Sequence, residues 1–351
     1  MKKKWTMLLV VMFALTSLVL TSCSDDDDSV GATINSTEDL VTYLNNDGMG
    51  LTDMLVNWIK TADAVNVVMT DDDATNDYYI MDLRNETLYG KGHIPGAHNV
   101  ALADVITEAA KANGQTIALV CYTGQSACHG VVGLRLAGYS DAFSIKWGMA
   151  GWHTDIDGNT DGDLEDVEDL KFNYWTGGTA QLNHANWVAP TGNVTVPTTT
   201  YPLPDLVFEG VTDDARILAR ANYVVNNFHK VTATTVLDSV SIDGCNYFVN
   251  NYWAQSDVDL FGNIDTANRI MPAAANDLLQ YLDPSMSIVT YCWTGQTSSI
   301  ITAYLSAIGY DAWSLGNGSN SMIFDDLTAA VAHNWDASTI LDLPLEGTLG
   351  D

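Results

Sequence analysis

Two short segments of the chain combine a cysteine with neighbours that favour a reactive thiol. Cys121 opens the sequence CYTGQSA, and Cys292 opens CWTGQTS. A β-branched apolar run precedes each cysteine, and an apolar pattern of helical period follows it. The pattern therefore places each sulfur at the carboxyl end of a strand and beside a helix N-terminus, where backbone N–H groups and the helix dipole stabilise a thiolate. The thiolate is the nucleophilic form of cysteine.

The residues that follow each cysteine are suited to holding a small ligand. Glycine permits a positive φ and lets the backbone approach a ligand closely, and the hydroxyl groups add hydrogen-bond donors. The predicted catalytic residues are Cys121 and Cys292. The predicted substrate-binding residues of the two loops are Tyr122, Thr123, Gly124, Gln125, Ser126 and Ala127, and Trp293, Thr294, Gly295, Gln296 and Thr297. The alternative is a pair of buried structural cysteines at strand ends, but the repetition of the whole loop favours chemistry.

The two loops belong to a longer internal repeat. Residues 117–138 read IALVCYTGQSACHGVVGLRLAG, and residues 288–309 read IVTYCWTGQTSSIITAYLSAIG, with 17 positions from cysteine to final glycine in both. Upstream, GHIPGAHNV at 92–100 aligns with GNIDTANRI at 262–270. This offset of 170 positions is close to the separation of 171 positions between Cys121 and Cys292. The repeat predicts two copies of one fold.

The elements that must position these loops alternate between strand and helix. Strand-like runs at Tyr78–Leu83, Ile117–Val120 and Ala142–Ile145 alternate with helical patterns at Ser36–Leu44, Met54–Ala62 and Ser126–Leu136. Gly138 and Gly309 occupy positions expected for helix C-caps. We therefore predict the α/β class, with two domains that each contain a parallel sheet of about five strands flanked by helices on both faces. The Thr- and Pro-rich segment Pro190–Pro204 reads as a linker.

The first copy resembles the rhodanese (sulfurtransferase) family. Besides the CxxGxx loop, it has Asp82-Leu83-Arg84 after a strand, Gly92-His93-Ile94-Pro95-Gly96-Ala97, and Trp147-Gly148-Met149-Ala150-Gly151-Trp152. The resemblance implies that Cys121 accepts a sulfane sulfur as a persulfide and passes it to a thiophilic acceptor. The family's rhodanese-like phosphatases need an arginine six residues after the cysteine to grip phosphate, and Ala127 and Ser298 stand there instead.

The second copy keeps its cysteine loop but departs from this signature. The Asp-Leu-Arg segment is replaced around Asn250–Tyr252, and Asn263 and Asp265 replace the histidine and proline of the second motif. Asn317-Gly318-Ser319 replaces the Trp-Gly-Met turn. Cys292 is therefore a candidate for a second site.

The balance of charge restricts the partners. The chain has 14 basic and 44 acidic residues, a net charge of −30, which excludes nucleic-acid binding. Neither loop contains a basic residue, although Arg84 and Lys91 are candidates to supply local positive charge to a substrate. For Arg84, pairing with Asp82 or Glu86 is the alternative. The expected partners are a small sulfur donor (thiosulfate, polysulfide or persulfide) and a thiol, cyanide or protein acceptor.

The N-terminus reads as an export signal. Three lysines at positions 2–4 precede the apolar stretch Met7–Leu20, and Leu20-Thr21-Ser22-Cys23 resembles a bacterial lipobox, which implies lipidation of Cys23. The alternative is a cleaved secretory signal. We predict a signal peptide in residues 1–22, an acidic tether in 23–35, rhodanese-like domains in 36–154 and 205–345, and a linker in 155–204. The protein is expected to be lipid-anchored in the cell envelope, facing the periplasm or the cell surface, and to contact the membrane only through the lipid.

The linker contains a calcium-type sequence, DGNTDGDLEDVE at 157–168. It fills the constrained positions of an EF-hand loop. The predicted metal-binding residues are Asp157, Asn159, Asp161, Asp163 and Glu168. We expect a structural Ca²⁺ and no catalytic cofactor; an acidic, solvated loop is the alternative.

The remaining cysteines and the function class leave alternatives open. Cys128 lies two helical turns after Cys121 and is either a resolving thiol or a buried core residue. Cys245 has no evident partner. With Cys23 set aside, four of the five cysteines remain, and this even count is compatible with disulfides in an exported protein. Besides an enzyme, a sulfur carrier that turns over poorly and a calcium-stabilised interaction protein are compatible with this sequence.

Overall fold

A parallel five-stranded sheet forms the centre of the first half of the protein. The structure is a computed structural model that describes residues 32–153, 184–190, 197–270, 278–330 and 333–347. We refer to 32–153 as the first half and to the described part of 197–347 as the second half. The strands are β1 (Ile59–Lys60), β2 (Tyr79–Asp82), β3 (His98–Asn99), β4 (Ile117–Val120) and β5 (Phe143–Ile145). Their order is β1-β5-β4-β2-β3, and every neighbouring pair is parallel.

A second parallel sheet repeats this order in the second half. It runs β7-β11-β10-β8, and a parallel bridge between Asn250 and Asn268 stands where the first sheet has its fifth strand. The strands are β7 (Lys230–Val231), β8 (Tyr247–Asn251), β10 (Ser287–Tyr291) and β11 (Ala312–Leu315). Strands β6 (Trp187–Val188) and β9 (Asn263–Ile264) form a separate antiparallel pair. The predicted α/β architecture with parallel sheets is confirmed, with four strands instead of about five in this sheet.

Helices cover the sheets. In the first half they are α1 (Thr37–Asn46), α2 (Leu51–Met54), α3 (Ala62–Met69), α4 (Glu86–Lys91), α5 (Val105–Ala109), α6 (Gln125–Leu136) and α7 (Met149–Trp152). In the second half they are α8 (Asp213–Asn226), α9 (Ala233–Ser239), α10 (Gln255–Phe261), α11 (Gln296–Ala307) and α12 (Phe324–Ala330). The predicted helix at Met54–Ala62 is wrong. Asn57 has a positive φ, and Ile59–Lys60 pairs with β5 as an edge strand. Sheet pairing therefore overrides the local helical pattern.

The two halves share one core. Helices α6 and α11 are buried along almost their whole length, with Ser126 and Thr297 as the exceptions. Apolar residues of both helices and of α8 join a single cluster that includes residues of both halves. This burial explains why neither helix shows a strong polar face. Both end as predicted, at a glycine of positive φ (98° at Gly138 and 102° at Gly309).

Several predicted features lie outside the described residues. They are Cys23, the signal peptide, and the calcium loop with Asp157, Asn159, Asp161, Asp163 and Glu168. Within the described ranges, no helix is both long enough and apolar enough to cross a bilayer. The described residues also contain no group of three or more His, Cys, Asp or Glu side chains arranged to hold a metal ion.

Candidate active site

The first cysteine loop connects β4 to α6. Gly124, with φ of 85°, is the N-cap of α6, and its carbonyl accepts the first helical hydrogen bond from the N–H of Cys128 at 2.9 Å. The turn at Gly148 supports the loop from behind, because Met149 N–H donates to the Cys121 carbonyl at 2.9 Å. A Cβ on Gly148 would overlap that carbonyl oxygen, so only glycine allows this approach. Cys121 is thereby held at the helix N-terminus, as predicted from the sequence.

A cavity of about 300 Å³ opens beside Cys121. The predicted site residues that line it are Cys121, Tyr122, Thr123, Gln125 and Ser126. Of the other two, Gly124 packs against Gln296 of the second loop, and Ala127 is fully buried. Phe228 and Lys230 complete the lining. These two residues come from the second half, about 100 positions from Cys121 in the sequence, and sequence analysis did not identify them.

The second cysteine is held in a cradle of donors. Gly295 N–H and Ser298 N–H point at the Cys292 sulfur, at 3.2 and 3.4 Å. The thiol donates to Ser298 Oγ at 3.6 Å, and this oxygen lies 2.8 Å from Ser314 Oγ. Ser298 occupies the position of Ala127, so this hydroxyl is particular to the second loop. The cradle is suited to a thiolate or a persulfide anion.

Aromatic side chains pack over the second loop. The Trp293 ring stacks on Trp253 at a centroid distance of 4.2 Å and on His333 at 4.4 Å. Cys292 is only 2% exposed. Thr294 accepts a hydrogen bond from Gln296, and Thr297 is partly exposed. The two predicted sites therefore differ in their surroundings, a cavity at Cys121 and an aromatic cluster at Cys292.

Two glutamines join the loops reciprocally across the shared core. Gln125 donates to the Asn317 side chain at 2.5 Å and accepts from the Asn317 N–H at 3.0 Å. Its counterpart Gln296 accepts from the Trp147 N–H at 3.2 Å. Asn317 and Trp147 occupy matching turns, after β11 and β5, and both have positive φ. Each loop is thus held in part by the other half of the protein.

Comparisons with known proteins agree with this geometry. A family model described as the rhodanese-like domain matches residues 62–155. Thiosulfate sulfurtransferase GlpE of Pseudomonas fluorescens is 36% identical over 78 residues, which cover 21% of this chain and 70% of that protein. The protein of the same name from Pseudoalteromonas translucida is 34% identical over 79 residues, covering 22% and 73%. This chain belongs to the rhodanese family.

Solved structures are similar to this rhodanese over different extents. A rhodanese-like domain protein from Staphylococcus aureus is similar over 26% of this chain and 86% of its own, with 22% identity and a TM-score of 0.22. A thiosulfate sulfurtransferase from Pseudomonas aeruginosa is similar over 83% of this chain and 66% of its own, with 13% identity and a TM-score of 0.24.

The rhodanese signature residue Arg84 lies in a salt bridge. Its guanidinium donates to both carboxylate oxygens of Asp82, the shortest contact being 2.7 Å, and to the carbonyl of Gly92. Both side chains are almost completely buried. The predicted substrate-binding role of Arg84 is thus not supported, because its charge is neutralised and it does not line the cavity at Cys121. The alternative, pairing with Asp82, is the arrangement observed.

Strand register shows what replaces this pair in the second half. Asp82 lies opposite Val120, which precedes Cys121, and Asn251 lies opposite Tyr291, which precedes Cys292. Asn251 and Trp253 therefore correspond to Asp82 and Arg84. The segment that replaces Asp-Leu-Arg in the second half is thus Asn251–Trp253, one residue later than the segment Asn250–Tyr252 identified from the sequence. Trp253 occupies the position of Arg84 and stacks on Trp293. The tryptophan at this one position therefore accounts both for the absence of the salt bridge and for the aromatic contact.

The other thiols are separate from the cavity. Cys121, Cys128, Cys245 and Cys292 are all free, so the disulfide alternative is not observed. Cys128 is completely buried, and burial raises the pKa of its thiol well above the usual value. This matches the core alternative for Cys128, because a thiol with a raised pKa is a poor nucleophile.

Proposed function

We propose that this rhodanese is a sulfurtransferase that carries a sulfane sulfur as a persulfide on Cys121. One observation carries the proposal, namely that Cys121 lines a cavity of about 300 Å³ at the N-terminus of α6. Backbone N–H groups at a helix N-terminus stabilise the thiolate and the persulfide anion that follows it. The donor is thiosulfate, a polysulfide or a persulfide, and the acceptor is a thiol, cyanide or a protein.

The reaction proceeds by two displacements at sulfur. The Cys121 thiolate attacks the outer sulfur of the donor, the new S–S bond forms, and the S–S bond of the donor breaks. The leaving group, sulfite when thiosulfate is the donor, departs with the electron pair. The acceptor nucleophile then attacks the outer sulfur of the persulfide and regenerates the thiolate.

We propose that Cys292 is a second, slower sulfur site. Its donor cradle supports an anionic sulfur, but stacked aromatic rings pack over its loop, whereas Cys121, itself 5% exposed, lines a cavity. Cys121 is therefore expected to react first.

Mass spectrometry of each cysteine after incubation with thiosulfate, and separately with polysulfide, tests the proposal. We expect one added sulfur on Cys121 and cyanide-dependent turnover that Cys121→Ser abolishes. Cys245→Ser is the control, because Cys245 is a partly exposed free thiol that does not line the cavity. Turnover that survives Cys121→Ser and is abolished by Cys292→Ser would contradict the proposal, because the activity would then belong to the second half.

The same experiment separates the other function classes. A stable persulfide without turnover identifies a sulfur carrier, and no persulfide on either cysteine favours an interaction protein on a rhodanese scaffold. We also propose lipidation of Cys23 in the cell envelope and structural Ca²⁺ binding at residues 157–168. Mass analysis of the N-terminal peptide and calcium titration calorimetry test these two proposals.

A further inference from the structure

We propose that Gln296, a residue of the second cysteine loop, is a positioning residue for Cys121 in the first loop. Its side chain is almost completely buried and bonds to the turn that supports the first loop. The inference rests on the proposed function of Cys121 and names a residue of the other half that holds this cysteine in its reactive geometry. Gln296 acts through the backbone, because it does not line the cavity at Cys121.

The turn after β5 supports the loop of Cys121 through backbone contacts. Met149 N–H donates to the Cys121 carbonyl at 2.9 Å, and Ala150 N–H donates to the Tyr122 carbonyl at 3.0 Å. A Cβ added to Gly148 would lie 2.3 Å from the Cys121 carbonyl oxygen, so the turn and the loop are in direct contact. A displacement of this turn therefore moves the backbone that carries the Cys121 sulfur, because interiors packed this closely transmit strain.

Gln296 holds this turn from the second half. Its Oε1 accepts a hydrogen bond from the Trp147 N–H at 3.2 Å, and Trp147 has a φ of 66°. A bulky residue rarely adopts such a left-handed conformation unless its surroundings stabilise it. The same oxygen lies beside Gly124, where an added Cβ would be 2.8 Å away from it. One amide group thus contacts both the supporting turn and the N-cap of α6.

The second half has the same arrangement in reverse. Gln125 Oε1 accepts from the Asn317 N–H at 3.0 Å, and Asn317 has a φ of 59°. The turn that begins there supports the second loop, because Ser319 N–H donates to the Cys292 carbonyl at 2.9 Å. Each cysteine loop therefore contains the glutamine that holds the turn behind the other cysteine. This reciprocity gives the second loop a role at the first site that does not require Cys292 to react.

The orientation of the loop N–H groups determines how well a sulfur anion is stabilised. In the second loop two of these groups lie 3.2 and 3.4 Å from the Cys292 sulfur. The two loops share a sequence pattern and the same connection from strand to helix, so we expect the same requirement at Cys121. A hydrogen bond weakens steeply as its angle and distance depart from the favoured geometry. Loss of the Gln296 contact should therefore destabilise the Cys121 thiolate and slow its attack on a sulfur donor.

The rate of persulfide formation on Cys121, measured by mass spectrometry after rapid mixing with thiosulfate and, separately, with polysulfide, tests the assignment. Gln296→Met, which has a side chain of similar length but no amide, should lower this rate about fivefold, as expected for the loss of one neutral hydrogen bond. Gln296→Asn withdraws the amide by one methylene group, and it should lower the rate as well if the methionine variant does not fold.

Tyr310→Phe is the matched control and should leave the rate unchanged. It removes one buried hydrogen bond, to the Leu279 carbonyl at 3.1 Å, and it lies beyond the other end of α11. It therefore reproduces the loss of a buried hydrogen bond without touching the turn behind Cys121.

The pH dependence of alkylation provides a readout that does not depend on sulfur transfer. The pH at which iodoacetamide modifies Cys121 at half its maximal rate should rise by several tenths of a unit in Gln296→Met and stay constant in Tyr310→Phe. If the unmodified protein accepts no sulfur but this pH still rises in Gln296→Met, the proposed function fails and the positioning role stands.

The positioning role is overturned if Gln296→Met matches Tyr310→Phe in both the persulfide rate and the pH profile. A lower rate with an unchanged pH profile would also overturn it, because general destabilisation of the fold is sufficient for that result.

Discussion

At the scale of single residues, the shared core contains a titratable side chain without a function in the proposed chemistry. His129, in α6 next to Cys128, is fully buried, and its Nε2–H donates to the Val224 carbonyl of α8 at 2.8 Å. Its ring also contacts Phe228, which lines the cavity at Cys121. Burial lowers the pKa of His129 to about 4, so the folded protein holds this imidazole neutral near pH 7.

Stability should therefore fall with acid in a range set by His129. The unfolded chain takes up the proton near pH 6.5, whereas the folded protein resists it until about pH 4. The stabilising contribution is complete above pH 6.5 and is lost as the pH falls towards 4, by about 3 kcal/mol. Urea unfolding of the unmodified protein and of His129→Gln at pH 7.5 and 4.5 measures this. The variant keeps a donor for Val224, and an equally steep pH dependence in both proteins would contradict the prediction.

At the scale of elements, the helix that follows Cys121 packs closely against the other half. A Cβ placed on Gly133 of α6 would overlap Cγ1 of Val225 in α8, whereas a Cβ on Gly130 meets the ends of two leucine side chains at 2.8 and 2.9 Å. Valine is stiff at χ1, but leucine ends can rotate away. The absence of a side chain at Gly133 therefore permits α6 and α8 to approach.

Gly133→Ala is expected to lower the free energy of unfolding by about 1–3 kcal/mol. The loss should occur although alanine is about 1 kcal/mol better than glycine inside a helix. Gly130→Ala, in the same helix, serves as the matched control and should cost less. Denaturant unfolding of both variants gives the comparison, and equal effects would show that helix contact at Gly133 does not limit stability.

At the scale of the whole molecule, the two repeated sheets behave as one structure. A single apolar cluster includes residues of both halves, and the described residues belong to one compact unit. The C-terminal segment also returns to the first half, where Glu346 exchanges two backbone hydrogen bonds with His93. Trp335 packs with Trp147 of the first half in a small cluster of its own. The halves therefore stabilise each other by burial and by hydrogen bonds.

The protein should accordingly unfold in one cooperative transition. Far-UV and near-UV circular dichroism should give the same midpoint, and the calorimetric and van't Hoff enthalpies should agree. A fragment of residues 32–153 should lack a cooperative transition, because it exposes the faces of α6 that contact α8 and α11. A fragment that melts cooperatively near the midpoint of the full chain would show that the halves are independent.

Local sequence was sufficient for much of this description. The strand Ile117–Val120, the helix after it and the glycine that ends it all depend on neighbouring residues, and each matches the structure. The helix predicted at Met54–Ala62 failed, because pairing of Ile59–Lys60 with β5 is a contact between distant residues. The positive charge in the cavity at Cys121 also comes from a residue that is distant in the sequence. Both cysteine loops lack basic residues, yet the cavity contains Lys230.

The sequence by itself determined the family, the repeated α/β elements and the two cysteine loops, because motif spacing and hydrophobic period are local properties. Only the tertiary structure decided that Arg84 is bound to Asp82, that Cys292 lies beside stacked aromatic rings, and that Lys230 lines the cavity at Cys121. These arrangements depend on which distant surfaces become buried together. Hydrophobic burial is not directional, so one-dimensional patterns do not specify the partner of each buried face.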